Sequence, residues 1–247
     1  MSIAPNARRQ PSPARNLAQL WRSMRFMSPA DVPLFLQSAR TDKAISRLRT
    51  TVGERGAFEA VYVETGDPWA SADSRYRYQA WKYERIVACL PAGQRFTHAL
   101  DLGCGLGLLS HHLGKRADQV LGIDIAQAAV DRAAARFGSP AISFRQGDVL
   151  DLDPGLDGGF DLITLADTLY YLPPPIGDDL LKQVAARMAR LLKPGGLCLL
   201  ANHYFFSADP ESRLSRRIHD AFAWSPLFTV ASQARRPFYL VTILRRT

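Results

Sequence analysis

Residues 98–113 read HALDLGCGLGLLSHHL, and this stretch decides the fold. An apolar run ending at Leu102 meets glycines at 103, 105 and 107, and a helix-compatible run follows from Leu108. Glycines at a strand–loop–helix junction permit positive φ and let backbone N–H groups approach a bound nucleotide closely. A dinucleotide fingerprint would put its third glycine at 108, where this chain has leucine. Asp101 stands two residues before the first glycine. A carboxylate there would repel a pyrophosphate and suit an ammonium group.

The pattern around the loop alternates. Strands are expected at Thr97–Leu102, Gln119–Asp124, Ile142–Gln146, Phe160–Ala166 and Leu197–Asn202, and helices at Leu106–Gly114, Ala126–Phe137 and Ile176–Leu192. Near-continuous apolar strands alternating with helices predict an α/β fold, a mostly parallel doubly wound sheet with helices on both faces. Lys193-Pro194-Gly195-Gly196 reads as a helix stop and turn before the fifth strand. Beyond a helix at 210–223, the runs LFTVASQA and FYLVTILRR, joined through RRP, predict an antiparallel C-terminal hairpin.

Upstream, a helix is expected from Ser74 to Leu90, ahead of the glycine-loop strand. A turn at Asp67-Pro68 precedes it, and Gly53 is read as closing a helix that begins near Asp42. A shorter helix ends at Gln37, capped at Ser28 with Pro29 in its first turn. Leu17, Leu20, Trp21 and Met24 mark a basic amphipathic helix, and residues 1–14, with three prolines, are expected to be disordered. Packing on its own domain is the simplest role for that helix; a lid, membrane-surface contact or a transit peptide compete with it. The division expected is a basic extension over residues 1–60 and a main domain over 61–247.

The formal net charge is +8. Lys+Arg outnumber Asp+Glu ten to four over residues 1–60 and seven to three over 201–247, whereas residues 101–200 carry nine against twelve. Basic ends make a nucleic-acid substrate conceivable, and a solvated arginine-rich surface is the simpler reading. No apolar run approaches the roughly 18 residues a membrane span needs. The odd, scattered Cys89, Cys104 and Cys198 suggest neither disulfides nor a zinc site, so a reducing cytoplasm is the expected compartment and no metal is expected. Oligomeric state is not legible.

Two further acids extend the loop's meaning. Asp124 ends the second strand, where a carboxylate can accept hydrogen bonds from both ribose hydroxyls. Asp148 follows the third strand in QGDV, where it can accept an adenine amine with the Val149 N–H beside the ring. D-x-G-x-G-x-G, the strand-two acid, G-D-V and L-K-P-G-G resemble class I S-adenosylmethionine-dependent methyltransferases in order and spacing over about residues 97–200. The resemblance implies a Rossmann-like seven-stranded sheet with an antiparallel seventh strand, and S-adenosylmethionine as cofactor. It implies that Asp101, Gly103, Cys104, Gly105 and Gly107 hold the methionine end, that Asp124 and Ile125 hold the ribose, and that Asp148 and Val149 hold the adenine. Ala166, Tyr83 and Trp81 would border the cofactor mouth. DPW at 67–69, KYE at 82–84 and DTLYYL at 167–172 also resemble the NodS-like N-methyltransferase group, which methylates a glucosamine-type amine.

Asp167 and Tyr170 after the fourth strand, and His203 after the fifth, are the catalytic candidates, at the edge where such sheets bind ligands. An amine acceptor needs only to be kept unprotonated, whereas a hydroxyl needs a general base. The segment after strand four lacks the N/D-P-P-Y/F wording of base-methylating enzymes, since its prolines stand later, at 173–175. A small-molecule N-methyltransferase with a sugar-like or secondary-metabolite acceptor is therefore the leading expectation. Small-molecule O-methylation, RNA or protein methylation through the basic ends, and non-catalytic cofactor binding are the competing ones.

Overall fold

The computed structural model describes residues 31–205 and 209–247. Strands β1 Phe96–Leu102, β2 Ala117–Asp124, β3 Ile142–Gln146, β4 Phe160–Ala166, β5 Leu192–His203, β6 Phe228–Arg236 and β7 Tyr239–Arg246 form one sheet. The order is β3-β2-β1-β4-β5-β7-β6. Strands β1 to β5 are parallel, and β7 runs antiparallel to both β5 and β6. The expected mostly parallel sheet and C-terminal hairpin are both present. From β1 the chain goes outward to β2 and β3 and returns on the other side at β4. That reversal opens a crevice at the carboxyl ends of β1 and β4.

Helices α1 Val32–Thr65, α2 Arg77–Val87, α3 Leu108–Leu113, α4 Gln127–Phe137, α5 Asp178–Leu191 and α6 Pro210–Ala223 cover the sheet. Strand alternation sends Leu100, Leu102, Ile163, Leu165 and Leu200 to the core under α5 and α6, while Ala99, Leu162, Leu199 and Val241 face the core shared with α2 and α3. Lys193–Gly196 lies inside β5 rather than before it. Phe160 pairs with Leu192 and Leu162 with Leu197, so four residues bulge opposite one, with Gly195 at φ 75°.

The largest departure from expectation is α1. Two short helices were expected, the second closed by Gly53. Instead helix runs through residues 38–41 and continues past a kink at Gly53 (φ 73°, ψ −179°) to Thr65. Gly53 breaks the axis because its backbone is left-handed there, but residues 54–65 regain the helix by burying Ala57, Phe58, Val61 and Tyr62. These pack with Ile45 against Leu106, Ala126, Ala128 and Ala129. Glu59 Oε2 accepts the Ala128 N–H at 3.1 Å and so caps α4 from a different helix. The boundary expected between residues 60 and 61 falls inside α1. The Ser28 cap, the disordered start and the amphipathic helix at 17–24 lie outside the described residues. Among the described residues, no helix is long and apolar enough to cross a membrane.

Candidate active site

A cavity of about 540 Å³ opens at the carboxyl edge of the sheet. Gly103, Cys104 and Gly105 from the glycine loop, Asp124 and Ile125 from the end of β2, and Asp148 and Val149 after β3 line one end. Ala166, Asp167 and Tyr170 after β4, His203 at the end of β5, and Tyr83 from α2 line the rest. Twelve expected site residues thus converge on one space, and Asp101 and Gly107 do not.

Asp101 is the main correction. Its register partner on β4 is Thr164, and its side chain projects onto a sheet face instead of past the strand tip. Thr164 Oγ1 donates to one carboxylate oxygen at 2.8 Å and Ser110 Oγ to the other at 2.6 Å. Asp101 therefore clasps β1 and β4 to α3 and does not line the cavity. Burial raises its pKa to about 6, against the two hydroxyl bonds that lower it. Gly107 is also structural: at φ 77°, a Cβ there would stand 2.8 Å from the Phe144 ring. Trp81, expected at the cofactor mouth, instead packs against Tyr78 and Tyr239.

Gly103 and Gly105 line the cavity, and each is also held tightly by a neighbouring side chain. A Cβ at Gly103 would meet Thr168 Oγ1 at 2.4 Å, and one at Gly105 would meet Tyr62 Oη at 2.9 Å. Asp124 is 7% exposed; it accepts the Gly105 N–H at 2.8 Å and the Ala126 N–H at 3.0 Å. Burial raises its pKa, and those backbone bonds oppose the shift. An ionised carboxylate offers about four lone-pair sites, more than these backbone bonds use. Asp148 accepts the Leu150 N–H at 2.9 Å. This end fits an adenosine: closely approachable backbone, a diol acceptor and a second acid beside it.

At the other end, Asp167 sits at φ 54°, a left-handed conformation that costs a non-glycine residue of order 1–3 kcal/mol. That turn directs its carboxylate to the Lys82 ammonium and to the His203 backbone N–H, which donates at 2.9 Å. Lys82 is 6% exposed, so its ammonium is withdrawn from water, while the Asp167 carboxylate stays partly exposed toward the cavity. Burial lowers the pKa of His203, with Lys82 acting in the same direction and Asp167 against it, so the imidazole is held neutral. Burial raises the phenols of Tyr83 and Tyr170, keeping both protonated.

The sequence reading missed Lys82 as a site residue, and it missed Asp42 and Trp69 entirely as such. Asp42 Oδ1 accepts from Tyr171 Oη at 2.7 Å and from Trp69 Nε1 at 3.1 Å. Phe58 from α1, Trp69 from the DPW turn and Tyr171 from the turn after β4 stand with ring centroids 5.6–6.2 Å apart and line the cavity together. Asp67 fixes that turn by accepting the N–H groups of Ser71 at 2.8 Å and Ala72 at 2.7 Å. Gln79, Lys82 and Tyr83 all line the cavity from α2, and their i, i+3, i+4 spacing was a legible signal of one inward face. Among the described residues, no group of three or more His, Cys, Asp and Glu side chains could hold a metal.

A strand–glycine loop–helix junction with an acid at the next strand tip defines a Rossmann-like nucleoside-binding site. Comparison with known proteins narrows the class. A family profile described as a methyltransferase domain matches residues 99–196. A ubiquinone biosynthesis O-methyltransferase from Alkalilimnicola ehrlichii is 29% identical over 181 residues, 70% of this chain and 68% of that protein. One of the same name from Pseudomonas aeruginosa is 33% identical over 112 residues, 44% of this chain; the chain spans only 46% of that relative's length. Among solved structures, N-methyltransferase NodS from Bradyrhizobium japonicum, in complex with S-adenosyl-L-homocysteine, has TM-score 0.60 at 19% identity, covering 76% of this chain and 96% of NodS. PH0226 from Pyrococcus horikoshii also gives 0.60, at 20% identity, covering 77% of this chain and 100% of that one. At such identities the structures speak for the fold. Residues 99–196 thus carry the pattern of a methyltransferase domain, and these matches support a class I S-adenosylmethionine-dependent methyltransferase.

Proposed function

We propose that the protein methylates the nitrogen of a small-molecule amine. The observation that carries this reading is the composition of the cavity beyond the glycine loop. Aromatic rings of Phe35, Tyr76, Tyr78, Phe205 and Phe238 line it together with the carboxylates of Asp42, Asp167 and, at the rim, Glu211. Rings and carboxylates attract an ammonium or amine and disfavour a phenolate. Lys82 neutralises Asp167, and Arg49 pairs with Glu54 at 2.6 Å; among the described residues neither Asp42 nor Glu211 has a salt bridge. The acceptor end is therefore net acidic.

In this reading Gly103, Cys104 and Gly105 accommodate the methionine end of S-adenosylmethionine, Asp124 and Ile125 the ribose, and Asp148 and Val149 the adenine, with Tyr83 and Ala166 bordering the mouth. The bound cofactor supplies a methyl carbon already activated by its sulfonium sulfur, so the protein's task is alignment and proton handling. Asp167, locked by Lys82 and the His203 N–H, accepts an N–H of the acceptor and orients the nitrogen lone pair. On methylation the acceptor nitrogen gives up a proton, and neutral His203 would receive it for transfer to solvent. Tyr170, protonated and packed on Tyr171 at 4.5 Å between centroids, shapes the wall.

O-methylation is the second reading. The curated relatives named above support it, and a neutral His203 would serve as base for a phenol equally well. The RNA reading has less support, because the acceptor end is acidic. Three free cysteines, two of them buried, suit a reducing compartment such as the cytoplasm. An acceptor screen with methyl-labelled cofactor tests the proposal: label is expected on amines, and label confined to phenols and catechols would replace it with the second reading.

A further inference from the structure

The charges that line the acceptor half of the cavity do not balance. Lys82 pairs with Asp167 and Arg49 with Glu54, whereas Asp42 and Glu211 have no salt bridge among the described residues. S-adenosylmethionine brings one net positive charge, against Asp124 and Asp148 at the end assigned to it. The reacting nitrogen has to arrive unprotonated, since its lone pair attacks the methyl carbon. That nitrogen is therefore not the counter-ion of Asp42 or Glu211.

The two acids share one region. Tyr171 Oη donates to Asp42 Oδ1 at 2.7 Å, and the turn Leu169–Tyr171 packs on α6, whose first turn carries Glu211 at the rim. Partial burial raises the pKa of Glu211, and the charges of Asp209 and then Asp42 raise it further, so Asp42 acts on it through space. A second observation, independent of the acids, lies one turn along α6. Ser215 is 1% exposed and lines the cavity, and its Oγ has no hydrogen-bond partner. Orphaned buried hydroxyls are uncommon, because the lost hydration goes unrepaid. Ser212 on the same helix shows the ordinary arrangement, donating to Asp209 Oδ2 at 2.8 Å and accepting the Phe205 N–H at 2.8 Å. Residues four apart are neighbours on a helix, so Glu211 and Ser215 present a carboxylate and a free hydroxyl oxygen side by side.

We infer that Asp42, Glu211 and Ser215 hold a second, protonated nitrogen of the acceptor, so that the substrate is a diamine or polyamine rather than a monoamine. This rests on the amine reading above and narrows its substrate class. An ammonium has three N–H donors and no acceptor, and two carboxylates with a hydroxyl oxygen supply three acceptors. The rings of Tyr170 and Tyr171 line the same wall and favour a cation there. The charged nitrogen anchors the acceptor, and Asp167 and His203 act on the neutral one.

The test compares three amines that differ only in the tail: 1,4-diaminobutane, 4-aminobutan-1-ol and pentylamine. Each is titrated calorimetrically into the full chain loaded with S-adenosylhomocysteine, and each is assayed with labelled S-adenosylmethionine. The diamine is expected to bind about tenfold tighter than either other amine. Glu211→Gln and Asp42→Asn should each bring that ratio toward one, and Ser215→Ala should lower it as well. Stabilisation by S-adenosylhomocysteine serves as the folding control for each variant. Equal affinities, an alcohol that binds as tightly as the diamine, or a ratio unmoved by both acid variants while the control is retained overturns the inference and leaves amine methylation standing. Label on catechol with none on the three amines overturns the amine reading itself, and the inference with it.

Discussion

Replacing Asp124 with asparagine should weaken S-adenosylhomocysteine binding by about ten- to a hundredfold in a protein that still folds. The wild-type carboxylate spends one oxygen on the Gly105 N–H and the other on the Ala126 N–H. Asparagine keeps one of those acceptors and turns an NH2 group toward the other donor, which costs about 1–3 kcal/mol of stability. The ligand loses more selectively. Hydrogen bonds to a charged acceptor are worth about 1.5–3 kcal/mol and those to a neutral one about 0.5–1.5. Across two ribose hydroxyls the difference is about 1–3 kcal/mol, and each 1.4 kcal/mol is a factor of ten in Kd. Calorimetric titration of wild type and variant at one pH measures this directly, with Asp124→Ala as a harsher companion that orphans both N–H groups. An asparagine variant that binds within twofold of wild type would refute the ribose role and the reasoning behind it.

Breaking the Lys82–Asp167 pair should cost stability through the charge left behind. Lys82→Met is expected to lose about 3 kcal/mol in urea unfolding, and Lys82→Met/Asp167→Leu should recover part of it; additive losses would contradict a coupled pair. Gly103→Ala forces a side chain into left-handed backbone and against Thr168, whose hydroxyl donates to the Leu102 carbonyl at 2.9 Å. A loss of about 2–3 kcal/mol and of most stabilisation by S-adenosylhomocysteine is expected in thermal melts. His219 lies in the core between Thr242 Oγ1 at 2.7 Å and Asn202 Oδ1 at 3.0 Å, and burial lowers its pKa to about 3. The unfolded chain therefore binds a proton below about pH 6.5 that the folded chain refuses, and stability falls as pH drops through that window. Asp101, raised to about 6, acts oppositely: the folded state binds the extra proton, and stability rises as pH falls from about 6 toward its unfolded value. His219→Phe removes only the first effect. Its stability change from pH 7 to pH 5 should therefore be more favourable than wild type's by about 2 kcal/mol, and equal changes would contradict the assignment.

The sheet was legible because its strands are apolar runs closed by turn residues; β3 and β4 end where the sequence reading ends them. The acids at strand tips were legible for a related reason, since a carboxylate stranded after a buried run has few structural uses. Asp101 misled because it lies inside a strand, where period-two alternation aims it at the sheet face and Thr164, a partner 63 residues away. Lys82 escaped notice for the same kind of reason: its partner Asp167 is 85 positions distant, so neither residue advertises the pair. Residues 54–65 were given no element because Gly53 read as a terminus. Yet Ala57, Phe58, Val61 and Tyr62 follow helical spacing and could have announced the roof of the site.

The most direct measurement is a crystal structure of the complex with S-adenosylhomocysteine. The expected result has both ribose hydroxyls on the Asp124 carboxylate, the adenine beside Asp148 and Val149, and the sulfur directed toward Asp167 and His203. A ligand bound with Asp124 uncontacted, or with its sulfur turned away from those two residues, would contradict the account of where the methyl group is delivered.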